Sequence, residues 1–219
     1  IDMSMTPYDM EFCTLLKELV EEGKVKQERV DDAVRRIIRL KLRLGLFETP
    51  VTDPADYPLF ASEQHAAKAL DLAVESEVLL KNNGVLPIAK GKRILVTGPN
   101  ANSVRALDGG WSYTWQGTAE PRFHEGYNSI YAAIRNTFGA ANVVLEQGMD
   151  YVEDYGKWQE EQNLRIDRAV AAARGADVIV ACVGENSYCE TPGNINDLHL
   201  SANQTALVKA LAKTGKPIV

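Results

Sequence analysis

Two glutamates, Glu185 and Glu190, stand in the polar stretch GENSYCETPGN, directly after the apolar run DVIVACVG. A carboxyl group on such a strand-terminal loop can act as a general acid if it reaches a leaving oxygen and holds a proton near neutral pH. An aromatic wall beside it favours the protonated form by excluding water. The bland alternative is a solvated loop carboxylate. A second stretch, ALDGGWSYTWQG at 106–117, sets Trp111 and Trp115 four positions apart, and the whole chain has three tryptophans. Sugar rings present patches of axial C–H groups that pack on aromatic faces, while their hydroxyls need carboxylate and amide partners. Trp111 and Trp115 offer the faces, and Asp108, Gln116 and Asn102 offer the polar groups. Trp111 fits the plugging of a domain interface equally well, so Trp115 is the better candidate for a ligand contact.

Other chemistries are poorly supplied. His65, His124 and His199 lie far apart, and no GxSxG elbow occurs. Cys13, Cys182 and Cys189 are too few and too scattered for a disulfide framework or a zinc site. The turn GPNAN after RILVTG invites a phosphate-loop reading, but GxGxxG and GxxxxGK[ST] are both missing, and Pro99 removes a backbone donor. A nucleotide-binding α/β domain is therefore the weakest of the readings. A net charge of −6 argues against a general polyanion binder, so no nucleic-acid partner is expected. No apolar run approaches the ~20 residues that a membrane helix needs.

The elements that must position these loops follow from periodicity. Apolar residues at helical spacing predict helices over 9–22, 27–44, 63–82, 126–137, 160–174 and 201–213. Short apolar runs bounded by turn residues predict buried strands at 93–98, 142–147 and 177–184. Strands alternating with helices predict an α/β fold, a mostly parallel sheet with helices on both faces. Both polar loops then fall beyond the carboxyl ends of strands, where open α/β sheets bind ligands. Residues 48–62 carry three prolines and no periodicity, as a linker does. The arginines of the second helix suit a solvated face or ion pairs with a neighbouring domain. The chain opens on IDMSM and closes on GKPIV, as an apolar strand begins, which reads as a piece of a longer protein.

Taken together, five segments resemble glycoside hydrolase family 3, the exo-acting β-glucosidases and their relatives. IDMSM is similar to an AGxDMxM segment near the end of that family's catalytic barrel. VEEGKVKQERVDDAVRRIIRLKLRLGLFE resembles the barrel's closing helices, and HAAKALDLAVESEVLLKNNGVLPI the entry to its second domain. GGWSYTWQG and VGENSYCETPGN resemble two active-site loops of that domain. The resemblance implies that 1–47 is the end of a (β/α)8 barrel, 48–65 a linker and 66–219 an α/β sandwich incomplete at its C-terminus. It implies a retaining exo-β-glycosidase acting on a β-glucoside or oligosaccharide, without metal or organic cofactor, in the periplasm or secreted. The family's nucleophile, an aspartate in an SDW-type motif, belongs to the missing part of the barrel, and Asp2 is not that residue. The resemblance points to Glu190 as acid/base, with Glu185 second, and to Trp115 as the tryptophan flanking the second sugar. This piece alone is then expected to be inactive. A non-catalytic sugar-binding sandwich is the rival reading.

Overall fold

The computed structural model describes residues 1–117, 121–152, 154, 157 and 159–219. The chain divides into two compact units, Ile1–Val78 and Leu79–Val219.

The first unit carries three helices, α1 (Glu11–Glu21), α2 (Gln27–Arg43) and α3 (Glu63–Ser76). Ser62 caps α3 by accepting a hydrogen bond from the His65 N–H at 3.2 Å. The expected continuation of α3 to residue 82 does not form. Glu77 is already extended, and the Asn82 side chain gathers the next residues into a turn. Its Oδ1 accepts from the N–H groups of Gly84 and Leu86, and its Nδ2 donates to Leu86 O. A local side-chain bond of this kind offers the backbone an alternative to the helix. On α2, Arg29 and Arg36 reach Asp2 at 2.8 and 3.6 Å, and Arg36 also pairs with Asp32. Part of the basic face is thus matched by acids of its own unit. None of the three helices has a fully buried residue.

The second unit is the α/β layer. Strands β1 (Ile94–Thr97), β2 (Val143–Leu145) and β5 (Val178–Ala181) form a parallel sheet in the order β2-β1-β5. Residues 217–219 extend it, with Ile218 bridging Ile179 in parallel. Central strand β1 is buried on both faces, as its unbroken apolar run requires. Its side chains alternate between two cores. Leu95 packs with Ile179 under α7 (Ile166–Ala173) and α8 (Ala202–Ala212), through Ala169, Ala173, Leu207 and Leu211. Ile94 and Val96 pack with Val143 and Cys182 under α6 (Ile130–Phe138), through Ile130, Ile134 and Phe138. Helices therefore cover both faces, as the pattern predicts. Among the described residues, no helix is long and apolar enough to cross a membrane.

Two segments depart from the periodicity. Between β2 and α7 lies a short antiparallel pair, β3 (Asp150–Tyr151) with β4 (Glu161–Gln162). Helix α7 consequently starts at Ile166 rather than near 160. Tertiary bonds decide this: the Arg165 N–H donates to Gly148 O at 2.7 Å, and its guanidinium grips Asp150 at 2.8 and 2.9 Å and Glu146 at 3.0 Å. Two short helices, α4 (Val104–Asp108) and α5 (Pro121–His124), flank the tryptophan loop, and α6 begins at Ile130 rather than 126.

Candidate active site

The loop after β1 and the loop after β5 meet beyond the carboxyl ends of the strands. Gln116 joins them. It is 3% exposed, and its amide bonds Cys189 in both directions: Oε1 accepts from Cys189 N, and Nε2 donates to Cys189 O, each at 3.0 Å. Ser187 Oγ donates to Gln116 O at 2.8 Å, and the Cys189 thiol donates to Trp115 O at 3.0 Å. Desolvation and then the Glu190 charge raise the pKa of that thiol, which keeps it a donor. The backbones come so close that two glycines are required. A Cβ on Gly110 would sit 2.7 Å from Cys189 Cβ and Tyr188 O, and one on Gly117, at φ +79°, would collide with Ser187 Oγ.

This junction brings Trp115 to Glu190. The indole Nε1 donates to Glu190 Oε2 at 3.1 Å. The bond orients the carboxyl group, and Oε1 has no hydrogen bond among the described residues. Glu190 has a left-handed backbone, φ 55°, and so do Trp111 (60°) and Tyr113 (65°). Non-glycine residues there cost of order 1–3 kcal/mol each and cluster at functional sites. Trp111 is two-thirds exposed, and its N–H donates to Trp115 O at 2.9 Å. Tyr113 stacks on Phe123 with ring centroids 4.7 Å apart, so the loop presents several aromatic rings.

The remaining candidates are placed as follows. Glu185 lies apart from that junction, its Oε2 accepting from Tyr188 Oη at 2.7 Å, and it lines a cavity of about 500 Å³ with Tyr151, Glu161 and His199. The Asp108 carboxylate is 3.9 Å from His124 Nε2. Gln116, expected to offer its amide to a sugar, is committed inward to Cys189 instead. Asn102 accepts from Ser129 Oγ at 2.6 Å. No group of three or more His, Cys, Asp or Glu suited to a metal ion occurs among the described residues.

Sequence reasoning missed the residues that hold the second loop at its root. Buried Gln204 accepts from Gly184 N at 2.8 Å and donates to Gly184 O at 2.9 Å and to Glu161 at 3.0 Å. Tyr151 Oη lies 2.6 Å from Asn100 Oδ1 and 3.0 Å from Gly184 O, and burial raises the pKa of its phenol. One signal was present. Ser201 to Gln204 spells S-x-x-Q, a capping box. Ser201 does cap α8, its Oγ accepting from Gln204 N at 3.1 Å, but the glutamine side chain reaches across to Gly184.

Residues 77–219 match the model of the glycosyl hydrolase family 3 C-terminal domain. Over its whole length the chain is 38% identical to a lysosomal β-glucosidase of Dictyostelium discoideum and 33% identical to a periplasmic β-glucosidase of Salmonella typhimurium. It spans 27% and 30% of those relatives. A solved β-glucosidase involved in saponin metabolism from intestinal bacteria superimposes with a TM-score of 0.70 at 32% identity, over 98% of this chain and 32% of that one. A β-glucosidase from Listeria innocua in complex with glucose gives 0.63 at 31% identity, over 93% and 26%. An α/β layer with parallel strands, a family match over most of the chain and relatives above 30% identity along this chain's whole length agree: this chain belongs to glycoside hydrolase family 3, and residues 77–219 carry that family's C-terminal domain.

Proposed function

We propose that the chain is part of a retaining exo-β-glycosidase that removes terminal β-linked glucosyl or related residues, with Glu190 as the acid/base. The observation that carries this reading is the bond from Trp115 Nε1 to Glu190 Oε2, which joins one aromatic loop to one carboxyl group. Glu190 delivers a proton from Oε1 to the leaving oxygen as the anomeric C–O bond breaks. An aspartate from the rest of the parent protein takes the anomeric carbon as an ester. Glu190 then accepts a proton from water as that water attacks the same carbon and releases the sugar. Trp115 and Trp111 form a wall against the sugar rings, and Asp108 serves their hydroxyls. The two carboxyl groups must stand about 5–5.5 Å apart in the assembled enzyme.

In this reading residues 1–47 end a (β/α)8 barrel, 48–65 link, and 66–219 form the sandwich. The relatives' names support the substrate class, and the periplasmic Salmonella enzyme supports an exported location.

The test compares the full-length parent with its Glu190→Gln and Glu185→Gln variants on an activated aryl β-glucoside and on one with a poor leaving group. A general acid contributes about 10²–10⁴-fold, mostly where the leaving group is poor. Glu190→Gln should therefore lose the poor substrate by that factor, largely spare glycosylation by the activated one, and regain turnover of the latter with azide. The same pattern in Glu185→Gln alone would transfer the role to Glu185. If neither variant shows it, the chain is a sugar-binding module without catalytic groups.

A further inference from the structure

Beyond the carboxyl ends of the central strands lies a cavity of about 320 Å³, within the range of small-molecule sites. It is lined by residues following all three central strands, among them Asn102 and Arg105 after β1, Gln147 and Asp150 after β2, and Asn186 after β5. Arg105 is its unusual feature. The residue is 8% exposed, yet its guanidinium has no ion pair or hydrogen bond among the described residues. Its Nε is sealed from solvent without an acceptor. The two terminal nitrogens are not among the sealed atoms, and Arg105 is part of the cavity lining. Asn186, 5% exposed, adds a second sealed donor without an acceptor, its Nδ2.

Asp150, the acid among the described residues lining the cavity, is already engaged. Asp150 accepts two bonds from Arg165 and one from Asn163, and Arg165 holds its carboxyl below the usual carboxylate range. The cavity wall thus holds one buried cation with no partner among the described residues. A buried charge is tolerated when it is paired, and a guanidinium pairs best with two oxygens of one planar or tetrahedral oxyanion.

We propose that this cavity is a second ligand site, which takes a small oxyanion, a carboxylate or a phosphate, on the terminal nitrogens of Arg105. The site is independent of the hydrolytic reading, because it uses neither Glu190 nor Trp115.

The experiment measures thermal unfolding of the full-length parent against inorganic phosphate or acetate, with chloride at matched ionic strength as reference. One or both anions should raise the midpoint saturably, and which of them does so identifies the oxyanion class. Arg105→Met should abolish the rise. Arg105→Lys keeps the charge but loses the fork, and should weaken apparent affinity at least tenfold. In the chloride reference Arg105→Met should unfold no earlier than the wild type, since it removes a buried cation that has no partner. Three results would overturn the proposal: no saturable rise with either anion, a rise retained by Arg105→Met, or an Arg105→Met protein that is strongly destabilised or unfolded in chloride. The last would mean that the parent protein already supplies Arg105 with a partner.

Discussion

At the scale of single residues, the candidate site depends on one amide. Gln116 shares its loop with the tryptophans, but its side chain turns away from any ligand and closes a two-way bond with Cys189, the neighbour of Glu190. Replacing it with leucine leaves Cys189 N and O without these partners in a tightly packed junction. Unmade buried hydrogen bonds cost about 1–3 kcal/mol, which a denaturant titration of Gln116→Leu should show. The kinetic expectation is more specific. If Gln116 positions Glu190, the parent enzyme carrying Gln116→Leu loses more kcat on a poor leaving group than on an activated aryl one, because only the former needs a well-placed proton. A variant that loses stability but loses both rates equally would reduce Gln116 to scaffolding. That role was hidden in the sequence. A glutamine beside two tryptophans and a glycine suits a sugar hydroxyl as well as a backbone, and only the approach of the 184–190 loop decides.

At the scale of elements, the parallel sheet was legible because β1 and β5 are short apolar runs that can be satisfied only by burial on two faces. The antiparallel pair β3–β4 was not legible. Its two-residue strands carry no period, and the start of α7 is set by Arg165 reaching Glu146 and Asp150 far back in the chain. The same limit applied to the site. The loops were visible as polar stretches after strands, whereas the Trp115–Glu190 bond needs a contact across 75 positions. A comparable long-range pair ties the starts of β1 and β5. Asp177 accepts from the Arg93 side chain and from its backbone N–H at 2.9 Å, and these bonds hold the Asp177 carboxyl down to about 2. Arg165 lowers Asp150 in the same direction. A carboxyl depressed in the folded state stabilises it above the unfolded value, near 3.9, and that contribution fades as pH falls toward the folded value. The urea midpoint of the wild type should therefore drop between about pH 4 and pH 2. The curve of Asp177→Asn should start lower and be flatter across that window. Parallel curves would mean that the Arg93–Asp177 bonds contribute nothing measurable to the sheet.

At the scale of the whole chain, the two units differ in what can hold them together. Every fully buried residue lies at or beyond Ile94. There, Leu95, Ile179, Leu207 and Leu211 are completely covered, and deleting any one of them to alanine should cost about 2–5 kcal/mol. Residues 1–78 have helices of 11, 17 and 14 residues but no buried side chain, and Phe12, Leu15, Leu19, Val34, Ile38 and Leu44 remain exposed. Helices of this length are marginal in water when no apolar face is covered. Hydrogen exchange on the purified 219-residue chain should accordingly divide it. Amides of β1 and β5 should exchange only through global unfolding, and those of α1 and α2 through low-energy local opening. In the full-length parent, α1 and α2 should become protected if they close a barrel, because the same leucines and isoleucines then gain a partner. Protection of α1 and α2 equal to that of the sheet in the isolated chain would sink this account. It would require a source of stability for the first unit that its exposed side chains do not supply. The two protection patterns also bear on catalysis. A retaining site needs a second carboxyl about 5–5.5 Å from Glu190, and our reading assigns that group to the same barrel that would cover α1 and α2. Turnover of an aryl β-glucoside should therefore appear only in the protein whose first two helices are protected.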